Sequence, residues 1–323
     1  MSQQSIIREK AKRGNIRYNT NGQADLTGIS RGSNVMLNIL FILLAAFCVV
    51  PVLLVIIVSF TPESVITRRG YSFFPSELTL YNYQYLFMQP EIIGRAYMMT
   101  ILVTLAGTTM STLIICLFAY PLSRPDYPFR KVFTVYMFVT MVFGGGLLPY
   151  FIVVKNVLNI ADTIWCLILP LLFNSFWCIV MRTFYQQSVP PALIECARLD
   201  GASEIRTFFQ IVLPISLPGL ATVALFMFVT YWNDYYQAML FLNAQKDTLQ
   251  TMQYMCYRAL SSVNFLRTQA ANLGMLSAEQ LASIPNEGYR MTIAVVTIAP
   301  ILCIYPFFQR YFVAGLTVGA VKG

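Results

Sequence analysis

Residues 195–214 read ECARLDGASEIRTFFQIVLP, a polar island between two apolar segments. Just upstream, Pro190 and Pro191 suit a first helical turn, with Ser188 as its expected cap. Ala192 to Leu199 then predict about two turns of helix. Gly201 falls where a helix stop favours positive φ, and Asp200 is expected to bond the turn amides. Ser203 is expected to cap a second helix that runs through Phe208 and Phe209 into a membrane. The expectation is a helix–turn–helix elbow projecting from a bilayer. Cys196 and Ala197 should give it a smooth surface for docking, and Glu195 and Arg198 polar contacts at the rim.

The flanking composition supplies the bilayer. Of 323 residues, 57% are hydrophobic and 11% charged, against about 25% charged in a soluble domain. Six windows lack Asp, Glu, Lys and Arg: Arg31 to Glu63, Arg95 to Arg124, Lys131 to Lys155, Asp162 to Arg182, Arg206 to Asp234 and Arg290 to Arg310. They hold 31, 28, 23, 19, 27 and 19 residues. A spanning helix needs about 20 residues, and hydrocarbon forces the backbone to satisfy itself as helix. The reading is an all-α polytopic membrane protein with spans at about 36–58, 97–120, 132–152, 163–181, 215–241 and 291–309. The first window follows a polar segment, 1–34, and is read as an anchor rather than a signal peptide. Residues 35–323 are read as one membrane domain.

Charge orients it. With the N-terminus inside, the inner segments carry fourteen Lys and Arg against six acids, and the outer segments eight of each. The net +8 then lies entirely on the cytoplasmic side, as the positive-inside bias requires. That bias also accounts for Arg8, Lys10, Lys12, Arg13 and Arg17, leaving no case for a nucleic-acid arm. The elbow therefore faces the cytoplasm, and both termini are cytoplasmic. Five of seven cysteines fall in spans as small hydrophobes. Only Cys256 is outside, so no intramolecular disulfide is expected, and no spacing suggests a metal site.

Within the spans, Pro51 is a candidate kink. Thr100 to Thr112 supply the small and hydroxyl residues of close helix packing, and Pro121 is expected to close the second helix. Gly144–Gly146 followed by Pro149 should break the third near its outer end. The aromatic segment LTLYNYQYLF should form a short helix on the outer surface. The outer segment 243–290 should pack helices there too.

The elbow's spacing adds to this physical reading. Glu195 and the small pair Cys196–Ala197, three residues, Gly201, nine residues, then Ile211, Leu213 and Pro214 resemble the EAA loop of binding-protein-dependent ABC importers. A generic amphipathic surface helix explains the prolines and the glycine but not the whole set. The one departure is Cys196 in place of the first Ala. RLDGAS (198–203), YWNDYY (231–236) and PFFQRYFVAGLTVGAVKG (306–323) resemble carbohydrate-type permeases of the maltose family, and in particular its lipo-oligosaccharide and polysaccharide subgroup. The resemblance implies a type I importer permease working by alternating access in a bacterial cytoplasmic membrane. It implies a homologous second permease, two ATPase subunits and an extracytoplasmic solute-binding protein. ATPase coupling would fall to Glu195, Cys196, Ala197, Arg198, Asp200, Gly201 and Ala202. Gly319 to Gly323 occupy the place of a tail that reaches the ATPase interface in maltose-type relatives.

The chain has no phosphate-loop motif, so ATP and Mg would be bound by partner subunits and this chain needs no cofactor. It has no His, hence no Ser-His-Asp or Cys-His site, and no catalytic residue is expected. Tyr231, Trp232, Asn233, Asp234, Tyr235 and Tyr236 are the candidate cargo surface. Aromatic rings stack on sugar C–H faces while Asn and Asp bond hydroxyls, and an acid at depth usually faces protein or water. The alternative is an interfacial aromatic belt with helix packing. A stand-alone secondary transporter or channel would show repeats or coupling charges, and only Asp234 fits. An importer of non-sugar cargo is the other alternative.

Overall fold

A computed structural model of the chain describes residues 17–18, 24–25, 31–88, 90–243, 247–258, 261 and 287–320. The basic N-terminal segment and the outer segment 243–290 fall largely outside these residues. The chain is helical, as expected, apart from a minimal antiparallel ladder pairing Arg17–Tyr18 with Ala24–Asp25.

Helix α1 (Arg31–Ser59) passes Pro51 without a break and turns most of its apolar side chains outward. Two short helices follow, α2 (Glu63–Arg69) and α3 (Tyr81–Leu86), the latter from the aromatic segment. Helix α4 (Pro90–Ser123) is long and apolar enough to cross a bilayer. Pro121 does not close it as expected, since the helix continues two residues further.

Three of the remaining apolar windows are bent pairs. Helix α5 (Arg130–Val142) meets α6 (Leu147–Ile152) at 111° across the Gly144–Gly146 break, and α6 runs on as a π turn to Val157. Gly146 has φ +82, a conformation that side chains rarely adopt. Helix α7 (Trp165–Ile168) and its 3-10 extension meet α8 (Ser175–Ser188) at 51°, with Asn174 capping α8 through the Trp177 amide. Past the elbow helix α9 (Pro191–Leu199), α10 (Glu204–Thr207), a π turn and α11 (Leu213–Ile215) meet α12 (Leu217–Trp232) at 84°. The second elbow helix runs through Phe208 and Phe209, as expected, and then turns sharply before α12. Pro214 and Pro218 flank the corner at Ser216, and each removes an amide donor there. Helix α13 (Tyr236–Phe241) continues beyond α12, residues 252–258 are helical, and α14 is Glu287–Ala320.

The core lies between α4, α8 and α12, around Ile115, Cys116, Met181, Tyr185, Val223 and Met227. Gly107 lets α12 approach α4: a Cβ there would sit 2.6 Å from the Tyr231 ring. A second joint ties α1–α3 to the start of α14. Buried Asn82 donates to the carbonyls of Ser59 and Thr61 at 3.1 and 3.2 Å, and Thr292 donates to the same Ser59 carbonyl at 3.2 Å. The Glu63 carboxylate accepts the Glu287 and Gly288 amides at 3.3 and 3.0 Å, an anion at a helix N-terminus.

Candidate coupling elbow and cargo surface

The elbow forms as a Schellman stop. The Ala202 amide reaches the Ala197 carbonyl at 2.9 Å and the Gly201 amide the Arg198 carbonyl at 3.0 Å, with Gly201 at φ +75. Ser203 caps α10 through the Arg206 amide at 3.3 Å. Ser188 is not the cap of α9: it ends α8, and Pro190 takes the cap position with Pro191 in the first turn. Backbone bonds close the turn without the Asp200 carboxylate, which makes no hydrogen bond among the described residues.

Burial sorts the motif residues. Glu195, Cys196, Asp200 and Gly201 are exposed, and Ala202 is half-buried. Ala197 is 5% exposed and packs with Ile194 toward the body, so it does not form an outer surface as expected. The tip also carries two apolar side chains: Leu199 is 88% and Ile205 74% exposed. Solitary exposed leucines are ordinary, but these two flank the exposed Gly201 turn on the same projection.

Arg198 is not a free rim group. Its Nη2 lies 2.7 Å from Asp126 Oδ2, in the loop between α4 and α5, and 2.8 Å from Glu204 Oε1. Arg124 holds Asp126 through two bonds of 3.2 Å. The Tyr120 hydroxyl donates to Glu204 Oε2 at 2.8 Å and accepts from Arg124 Nη1 at 3.4 Å. Arg124, with Arg198 beside it, draws the Asp126 carboxyl down to about 2. Burial pushes the Glu204 carboxyl up, but Arg198 and the Tyr120 hydroxyl outweigh it and leave it below the usual range. None of Tyr120, Arg124, Asp126 or Glu204 was singled out by sequence. Asp126 stands 72 residues from Arg198, and no spacing announces the contact.

The six residues 231–236 separate into two groups. Tyr231 and Trp232 are buried. The Tyr231 hydroxyl bonds the Ile168 carbonyl and Ser111, each at 3.0 Å, and Trp232 Nε1 donates to the Thr297 carbonyl at 3.3 Å. Both are held in packing within this chain. Asn233, Asp234 and Tyr235 lie at the break between α12 and α13. Tyr235 holds the cap position of α13, and the Asp234 carboxylate just before it accepts the Gln237 amide at 3.5 Å. Asn233 accepts from Gln253 at 3.1 Å, and the exposed Tyr235 ring stacks on Tyr257 at 5.2 Å. Tyr236 is exposed as well. Gln253 and Tyr257 come from the outer segment and join this surface without having been singled out.

The family described as binding-protein-dependent transport system inner membrane component matches residues 111–318, a stretch holding both the elbow and residues 231–236. The chain belongs to that family. This inner membrane component is similar to the polygalacturonan/rhamnogalacturonan transport system permease protein YtcP of Bacillus subtilis (strain 168), at 35% identity over 87% of the chain and 95% of the relative. It is 36% identical to protein LplC of the same organism, over 88% of the chain and 94% of the relative. Among solved structures it resembles a chain of a bacterial ABC transporter involved in the import of the acidic polysaccharide alginate. That match has a TM-score of 0.71 and 26% identity, and covers 88% of this component and 99% of that chain. The helical fold is thus that of an ABC importer permease, and the protein is a transport component of a membrane.

Proposed function

We propose that this chain is the permease subunit of an ATP-driven importer of oligosaccharides or polysaccharide fragments, multi-pass in a bacterial cytoplasmic membrane. The observation that carries the reading is the elbow: a Schellman turn at Gly201 presenting Leu199 and Ile205 beyond the body of the chain. In this reading six spans cross the bilayer: α1, α4, the three bent pairs and α14. Both termini are cytoplasmic, so the elbow meets an ATPase on the side where ATP is available. Glu195, Cys196, Asp200, Gly201 and Ala202 belong to the docking face, while Ala197 and Arg198 set its shape from behind. A homologous second permease completes the pore, two ATPases bind ATP and Mg, and a solute-binding protein delivers cargo. By the family resemblance Gly319–Gly323 occupy the place of the tail that reaches the ATPases in maltose-type relatives; residues 321–323 lie outside the described residues. The relatives named for polygalacturonan and rhamnogalacturonan, and the alginate importer, support polysaccharide-derived cargo. Asn233, Tyr235 and Tyr236 are the cargo-facing candidates that remain exposed, with Asp234 half-buried among them.

The test is reconstitution of the assembled transporter with its binding protein in proteoliposomes. Uptake is assayed against labelled oligogalacturonides, alginate oligosaccharides and arabino-oligosaccharides. Wild type should retain ATPase subunits and import at least one of them. Gly201→Asp and Glu195→Lys should lose ATPase binding or uncouple hydrolysis from uptake. Normal ATPase retention with normal uptake in both variants would refute the docking role. Uptake by this chain alone, without ATP, would favour a stand-alone carrier.

A further inference from the structure

The elbow is lightly held. Helix α9 buries only Ile194 and Ala197, and cavities of about 430 and 420 Å³ lie beside it. Both are lined by Tyr120, Arg124, Asp126 and Arg198. What crosses this space is a closed polar ring: Arg124, Asp126, Arg198, Glu204 and Tyr120, each bonded to the next and Tyr120 back to Arg124. Three separate pieces of chain meet in it: the end of α4 with its following loop, the last turn of α9, and the first residue of α10. Phe208 packs against the Tyr120 ring at 5.4 Å, so the apolar contact backs the polar one.

Exposed ion pairs add little to stability, and stability is a weak account of five groups arranged in a ring. Geometry is a better one. A force on the elbow tip has two routes into the body. One passes through α10 and α11 and must turn 84° at Ser216 before reaching α12. The other crosses the ring directly to α4, which packs along α12 through the Gly107–Tyr231 contact. The Asp126 carboxyl, held near 2, stays charged across the cellular pH range.

We infer that Asp126 and Glu204 are positioning residues for coupling: with Arg198 they form the strut by which elbow movement reaches α4. The inference rests on the docking reading of the elbow. It requires that breaking the strut leave the ATPases bound but idle in transport, which separates it from loss of docking.

The experiment uses the assembled transporter in proteoliposomes, with Asp126→Ala, Glu204→Gln and the conservative Asp126→Glu. Three quantities are read: ATPase subunits retained, ATP hydrolysis with and without cargo-loaded binding protein, and uptake of whichever oligosaccharide the wild type imports. For the first two variants, ATPase retention should equal wild type, uptake should fall about tenfold, and hydrolysis should lose its response to binding protein. Asp126→Glu should restore most of both. Wild-type uptake and wild-type hydrolytic response in Asp126→Ala and Glu204→Gln would overturn the strut. So would loss of ATPase subunits from either, which would make the ring part of docking. Failure of wild type itself to retain ATPases would refute the underlying docking reading instead.

Discussion

Tyr231 and Tyr235 stand four residues apart and look alike in sequence, yet they do different physical work. Tyr231 fills the space left by Gly107 and satisfies its hydroxyl inside the protein. Tyr235 stacks on Tyr257 at the surface. Tyr231→Phe should cost about 0.6 kcal/mol, as interhelical hydrogen bonds in membranes average, and leave uptake near normal. Tyr235→Ala should leave thermal stability in detergent near normal and depress uptake. Thermal unfolding paired with transport assays separates the two, and the reverse pattern would move the cargo surface inward. The Schellman glycine and the Ser203 cap were legible in sequence because each is a local backbone requirement. The ring around Arg198 was not, because it depends on residues from three places in the chain. Ala197 was misread for a related reason: small size does not say which face of a two-turn helix a residue occupies.

At the level of elements, the charge-free windows located helices well and described their continuity poorly. Absence of charge reports where hydrocarbon is tolerable, whereas continuity depends on single residues within the window. The triple glycine at 144–146 announced its break. The corner at Ser216 was missed because Pro214 entered only as part of the elbow's spacing, and Pro218 lies inside the same charge-free window, where a window count does not register a bend. The 51° bend at Asn174 was missed because one capping residue inside an apolar run is easily passed over. Gly146 carries a specific expectation. Its φ of +82 is strained for any side chain, a cost on the order of 1–3 kcal/mol. Gly146→Val should lower the thermal unfolding temperature, while Gly145→Ala, with open space and no positive φ, should not. Equal shifts in both would mean that the 111° bend is set by something other than Gly146.

Across the whole molecule, the fastenings between helices among the described residues include the contact of α4 with α12 and the joint of α1–α3 with α14. Asn82 is central to the second. Asn82→Ala strips the Ser59 and Thr61 carbonyls of a donor inside a buried site, costing about 1–3 kcal/mol. Thermal unfolding should show that loss, and an unchanged unfolding temperature would mean these carbonyls find other donors. The same joint bears on biosynthesis. Asn82 and Glu287, the first residue of α14, are 205 positions apart in the chain. At about 5–20 residues per second the ribosome needs on the order of 10–40 s to supply the second partner. Through that interval the Glu63 carboxylate, just past α1, lacks the two amides it will later accept. Of the described helices, the earliest, α1, is therefore among the last to be locked, because its joint closes only once α14 has been made.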